Sequence, residues 1–116
     1  MISLDWIRDC IHTNRYLVSK HGDQERQNDN LTMLDLEEAL NGGKILEQYE
    51  DTGRGESCLV VGFTQSGKPI HCVCGKQGKH MVIVTVYIPE PPKSPPHLRE
   101  DKKNESVSFL WAYHLY

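Results

Sequence analysis

Apolar and polar residues change their spacing once along this chain, near Lys44. Before it, Trp6, Ile7, Cys10 and Ile11 fall at helical spacing in one segment, and Leu34, Leu36 and Leu40 supply an apolar side in another. That spacing predicts amphipathic helices. Ser3 is placed to cap the first and Asn14 to end it. Ser19 is placed to cap a second, short helix carrying Glu25 and Arg26, with Gly22 weakening its first turn. The third has the fullest grammar, because Thr32 and Asp35 form a capping-box variant and Gly42-Gly43 stop it.

From Lys44 onward short apolar runs alternate with turn residues, which predicts strands. Lys44–Glu50 and Cys58–Thr64 are the first two, and Lys68–Ile88 reads as two more joined by a Gly/Lys turn. Helices first and strands after predict an α+β fold, with N-terminal helices packed on one face of a four-stranded antiparallel sheet. In the last pair a side-chain period of two sorts the chemistry. Ile70, Cys72 and Cys74 are expected on the helix-facing side, with Val82, Val84, Val86 and Ile88 as an unbroken apolar row. His71, Thr85 and Tyr87 then share the opposite, open face.

A chain of 116 residues is long enough for one core without staples. Five of the six prolines fall within Pro89–Pro96, so residues 1–90 are read as the folded domain. Residues 91–116 are read as a Pro-rich linker and an aromatic C-terminal segment. The stretch Val107–Tyr116 holds four of the nine aromatic residues. A strand added to the sheet edge is the favoured reading of it; a strip that docks on a partner and a segment foreign to the domain are the others. No stretch is apolar enough to span a membrane and no leader is evident, which implies a cytoplasmic protein without membrane partners.

Charge is segregated. Residues 1–50 hold ten acids against five Lys/Arg, and residues 51–116 hold six against eight. No acid lies between Glu56 and Glu90, a window containing Lys68, Lys76 and Lys79 beside His71 and His80. The sheet is therefore expected to be cationic and able to hold an anion although the net charge is −3. The four cysteines (Cys10, Cys58, Cys72, Cys74) are read as free thiols. Zinc would need two ligands beyond Cys72 and Cys74, and no C-x-x-C pair supplies them, so small buried hydrophobes account for both. No metal or cofactor is expected.

Several pieces, in order, resemble a known family. Ser19-Lys-His21 with Glu25-Arg26, the capped helix Leu31–Gly43, the strand Ile45–Tyr49, Lys68-Pro-Ile-His71 and Val84-Thr-Val-Tyr-Ile-Pro89 together resemble the bacterial domain of unknown function 4258. The resemblance covers roughly Leu17 to Pro89. It implies a RelE-like fold of the barnase/EndoU/colicin/RelE group. It also implies a toxin-like endoribonuclease of a bacterial toxin-antitoxin system, with RNA as substrate and a cognate antitoxin as partner. The Cys72-Val-Cys74 pair and the extension beyond Pro89 depart from that pattern.

Metal-independent RNA cleavage needs a base, an acid and cations on the phosphoryl group. His71 is the first candidate, with His21 as the second proton-transfer group. Arg26 offers a planar fork for phosphate, and Tyr87 a ring and a hydroxyl. Thr85, Lys79 and His80 are expected to orient or steer substrate. Against these stand local pairing of Arg26 with Asp23 or Asp29, local packing of His21, and the plain strand propensity of tyrosine. The rival function is a catalytically inactive binding module of the same fold that docks a protein partner.

Overall fold

The computed structural model describes residues 1–51 and 53–89. The predicted linker and aromatic segment, 91–116, lie outside the described residues. Within them the order is α1 (Leu4–His12), β1 (Tyr16–Val18), α2 (Lys20–Asn28), α3 (Met33–Asn41), β2 (Lys44–Tyr49), β3 (Ser57–Phe63), β4 (Pro69–Gln77) and β5 (His80–Tyr87). The fold is α+β, as expected, but the sheet is not the predicted four-stranded antiparallel one. It has five strands in the order β1-β5-β4-β3-β2, and β1 runs parallel to β5. Tyr16-Leu-Val18 is too short to show a period, which is why the alternation signal missed it.

The helices begin where the capping residues stand. Ser3 accepts from the Trp6 N–H at 3.1 Å, Ser19 from Gly22 at 2.9 Å, and Thr32 from Asp35 at 3.0 Å. Asp35 accepts in turn from the Thr32 N–H at 2.9 Å, so the capping box is complete. Asn14, at φ 57°, ends α1 in the left-handed region that asparagine tolerates. Leu36 and Leu40 are buried with Ala39, whereas Leu34, predicted on the same apolar side, is exposed. It sits two positions before Leu36, on another side of the helix.

α1 and α3 bury Ile7, Cys10, Leu36 and Leu40 against one sheet face, where they meet Cys58, Val60, Ile70, Cys72 and Cys74. α3 comes so close that a Cβ on Gly62 of β3 would lie 2.1 Å from the Ala39 carbonyl oxygen. The core side of β5 differs from the expected one. Thr85 pairs with Val73 and Ile83 with Cys74, which leaves Val84 as an extra bulged residue. The bulge breaks the alternation. Met81, Ile83 and Val86 therefore face the helices, while Val84 stands exposed and Val82 half-buried on the other side. The unbroken row Val82-Val84-Val86-Ile88 does not form.

α2 lies along the outer edge of β5. β1 covers that edge from Met81 to Ile83, and α2 covers the rest of it, from Val84 to Ile88. Ser19 donates its N–H to the Ile83 oxygen and its hydroxyl to the Val84 oxygen. Glu25 accepts from the Val86 N–H at 3.1 Å, and Asp29 from Ile88 at 3.3 Å. The spacing matches: four helical residues rise about 6 Å and two strand residues about 6.7 Å. Two carboxylates thus close an edge that would otherwise present unpaired donors. Among the described residues no helix is long and apolar enough to cross a membrane.

Candidate functional site

The sheet face turned away from α1 and α3 carries three cross-strand rows. The pairing registers place Lys44, Val61, His71 and Tyr87 in the first. Glu47, Leu59, Val73 and Thr85 form the second, and Tyr49, Ser57, Gly75 and Val82 the third. A register shift in β2 between Ile45 and Glu47 puts Glu47 and Tyr49 on this face and leaves Ile45 on the core side. His71, Val61 and Leu59 are buried within the face, at 4%, 2% and 5% exposure.

His71 and Tyr87 meet there. Their rings are 5.1 Å apart, edge to face, with Nδ1 of His71 3.0 Å from the Tyr87 hydroxyl. Burial, then the nearby charges of Glu47 and Glu25, raise the Tyr87 phenol above its usual range. Tyr49 behaves likewise: burial and a hydrogen bond to Glu47 push it up to about 12. The polar centre of this face is therefore a pair of protonated phenols beside carboxylates. Thr85 stands half-buried in the second row, one place from Tyr87 along the face.

The remaining candidates lie elsewhere. The guanidinium of Arg26 donates from Nε and Nη2 to Asp23 Oδ1, at 3.0 and 2.8 Å. Its Nη1 donates to the Leu31 oxygen at 2.8 Å. These bonds tie α2 to the turn before α3, and Arg26 holds the Asp23 carboxyl below its usual range. His21 is 70% exposed, with Nε2 3.3 Å from Glu25. It approaches the central pair only through Glu25, whose other oxygen accepts from the Val86 N–H. Lys79 and His80 sit at the β4–β5 turn, where the Lys79 oxygen accepts from Arg15 at 2.6 Å. That end of β5 is roughly 23 Å along the strand from Tyr87.

The acid-free window does not make this face cationic. Lys76 reaches the Trp6 ring, 5.3 Å from its centroid, Lys79 belongs to the β4–β5 turn, and Lys68 to the turn before β4. Glu25 and Glu47, the two groups that set the charge around Tyr87, come from outside the window. Their long-range placement had one sequence signal, the four-residue spacing of Glu25 and Asp29 on a short helix.

The cysteines are core. All four are buried free thiols, Cys58 opposes Cys74 across β3 and β4, and Cys72 Sγ lies 3.7 Å from Cys74 Sγ. Burial pushes Cys58 up to about 12, and the hydrogen bond to Cys72, with burial, holds Cys74 well above the usual thiol range. Cys58 and Cys74, so deep and so protonated, are inert. No group of three or more His, Cys, Asp or Glu side chains among the described residues is arranged to hold a metal ion.

The family model described as Domain of unknown function (DUF4258) matches residues 18–88, from the last residue of β1 to just past β5. No curated protein matches, and no solved structure matches.

Proposed function

This chain belongs to the DUF4258 family of domains of unknown function, and on that premise we propose that it is a recognition domain that binds an extended, apolar-patterned protein segment on the helix-free face of its sheet. The placement of the cations carries this reading. Arg26 is consumed by Asp23 and Leu31, Lys76 lies over Trp6, and Lys79 and His80 are at the far turn. A phosphodiester needs positive charge where its oxygens sit. The face carries Lys44 at the end of its first row and Arg54 on the groove rim, but between them it offers Val73, Val82 and Val84, the ring of Tyr87 and the carboxylate of Glu47. Such a surface suits apolar side chains flanked by hydrogen-bond donors.

A second reading, a RelE-like, metal-independent endoribonuclease acting as the toxin of a toxin–antitoxin pair, is favoured by one row. Lys44, His71 and Tyr87 share it, and the last two are in hydrogen-bond contact. In that reading His71 takes the 2′-hydroxyl proton as that oxygen attacks phosphorus. The P–O5′ bond breaks with the Tyr87 hydroxyl giving its proton to the leaving 5′-oxygen, and Lys44 meets the phosphoryl charge.

One experiment separates the two. Purified wild type and His71→Ala are incubated with RNA in chelator, and peptides of alternating apolar pattern are selected by display on wild type. The recognition reading expects intact RNA with both proteins, and selected peptides that bind wild type but not Val84→Arg. Cleavage by wild type that His71→Ala loses, with its fold retained, would replace it with the nuclease reading.

A further inference from the structure

The helix-free face contains a groove of about 720 Å³, floored by Val73, Gly75, Val82 and Val84 and walled by Tyr49 and Ser57. Gly75 makes the depression, because the third row has no side chain at that position. The rim adds Glu50, Arg54 and Gln77. Tyr49 and Val84 in its lining are large apolar groups left exposed, and Tyr87 is exposed in the first row of the same face. We propose that the groove is the seat of this chain's own C-terminal segment, Val107–Tyr116, laid across the face in extended form. The proposal rests on the recognition reading and names the occupant of the same surface.

Four observations converge on that segment. Its odd positions, Val107, Phe109, Trp111, Tyr113 and Leu115, are all large and apolar. The even positions mix Ser108 and His114 with Leu110, Ala112 and Tyr116, so in an extended chain the odd side is the more apolar one and needs a surface to cover it. Ten residues span roughly 33 Å, about the length of the nine-residue strand β4 that crosses the face. The chain leaves β5 at Tyr87, inside the first row of that face, and residues 90–106 can stretch roughly 55 Å, so the groove is within reach. A tether of this length supplies an effective concentration in the millimolar range, which lets a weak intrinsic contact persist.

The sheet edges are worse destinations. The outer edge of β5 is already closed by β1, Glu25 and Asp29. The β2 edge is interrupted by the register shift between Ile45 and Glu47, which breaks the ladder that an added strand would have to follow. Polar chemistry agrees with the face. The indole N–H of Trp111 is a donor only, and Glu50 on the rim is an acceptor.

The test uses the full chain with Trp6→Phe, which leaves Trp111 as the single indole. Trp111 emission should be blue-shifted and several-fold less quenched by acrylamide than in the urea-unfolded chain, at every protein concentration. Adding Val84→Arg should raise the quenching to the unfolded level, with circular dichroism and the urea midpoint retained. Should Val84→Arg fail to fold, Tyr49→Ala serves, since that side chain is at the surface. A Trp111 as quenchable in the folded chain as in urea overturns the proposal. So does shielding that appears only as the chain dimerises, since the seated segment then belongs to a second copy. The recognition reading is judged apart from this: an exposed Trp111 on a face that still binds selected peptides removes only the occupant.

Discussion

His71 and Tyr87 are direct partners across β4 and β5, and Nδ1 of one lies 3.0 Å from the hydroxyl of the other. The contact joins a buried imidazole to a phenol at the surface and fixes one polar point of the face, beside the Tyr49–Glu47 pair. Tyr87→Phe keeps the ring and deletes the bond. Stability should fall by about 1 kcal/mol, the usual net worth of an intramolecular hydrogen bond, with a further cost if the imidazole nitrogen stays unbonded. Urea denaturation measures it. An unchanged midpoint would mean that water replaces the hydroxyl without loss.

Gly22 tests the seating of α2. In an exposed helix interior Gly→Ala stabilises by up to about 1 kcal/mol. Here a Cβ would meet the Ile83 oxygen at 2.9 Å and the Val84 oxygen at 3.2 Å, both backbone atoms that α2 itself helps to position. Sterics therefore outweigh propensity. Gly22→Ala should destabilise by roughly 1–3 kcal/mol, as overpacking does, and hydrogen exchange at Val86 and Ile88 should accelerate because Glu25 and Asp29 move away. Stabilisation by the substitution would show that α2 sits further from β5.

Arg26 should behave as a structural residue. Arg26→Ala removes three donors from Asp23 and Leu31 and should cost about 1–3 kcal/mol, the range for charge-assisted bonds whose partners are left behind. Arg26→Lys cannot serve both partners at once and should recover only part of this. Peptide binding on the helix-free face should survive both, once stability is allowed for. A loss of binding in a folded Arg26→Lys would move Arg26 into the site.

Features set by near neighbours were legible in the sequence, and those set by distant ones were not. Ser3, Thr32 with Asp35, and Asn14 act within a few residues, and each sits where local rules place it. The face shared by His71, Thr85 and Tyr87 was also legible, since a period of two carries them there. The core side of β5 was not. A single bulged residue, Val84, exchanges Val82 and Val84 for Met81 and Ile83, and nothing in an apolar run of Met81–Val84 marks which residue is extra. Arg26 misled for a different reason. A guanidinium suits phosphate and carboxylate equally, and only the fold shows that Asp23 and the Leu31 carbonyl meet it first. Glu25 and Asp29 left only their four-residue spacing as a trace, because their partners are backbone groups some sixty residues away, with no side chain to signal them.

High pH gives the last test, through tyrosines that the fold keeps protonated. Burial and a hydrogen bond to Glu37 push Tyr16 up to about 12, and Tyr49 reaches about 12 through burial and Glu47. Both folded values lie above the ordinary tyrosine value of about 10. Between those limits the unfolded chain has released protons that the folded one retains, so their contribution to stability is full below about pH 10 and declines toward pH 12. Tyr16, half-buried, should dominate, while Tyr49, 38% exposed, is screened by solvent and contributes less. Cys58, pushed up to about 12 by burial, adds a decline that starts lower, near the ordinary thiol value of about 8.5, so tyrosinate absorbance is followed beside the urea midpoint to isolate the tyrosine part above about pH 10. Tyr16→Phe should lower stability at neutral pH, by losing the bond to Glu37, and flatten the alkaline decline. A decline as steep in Tyr16→Phe as in wild type would assign the slope to the thiols and to Tyr49.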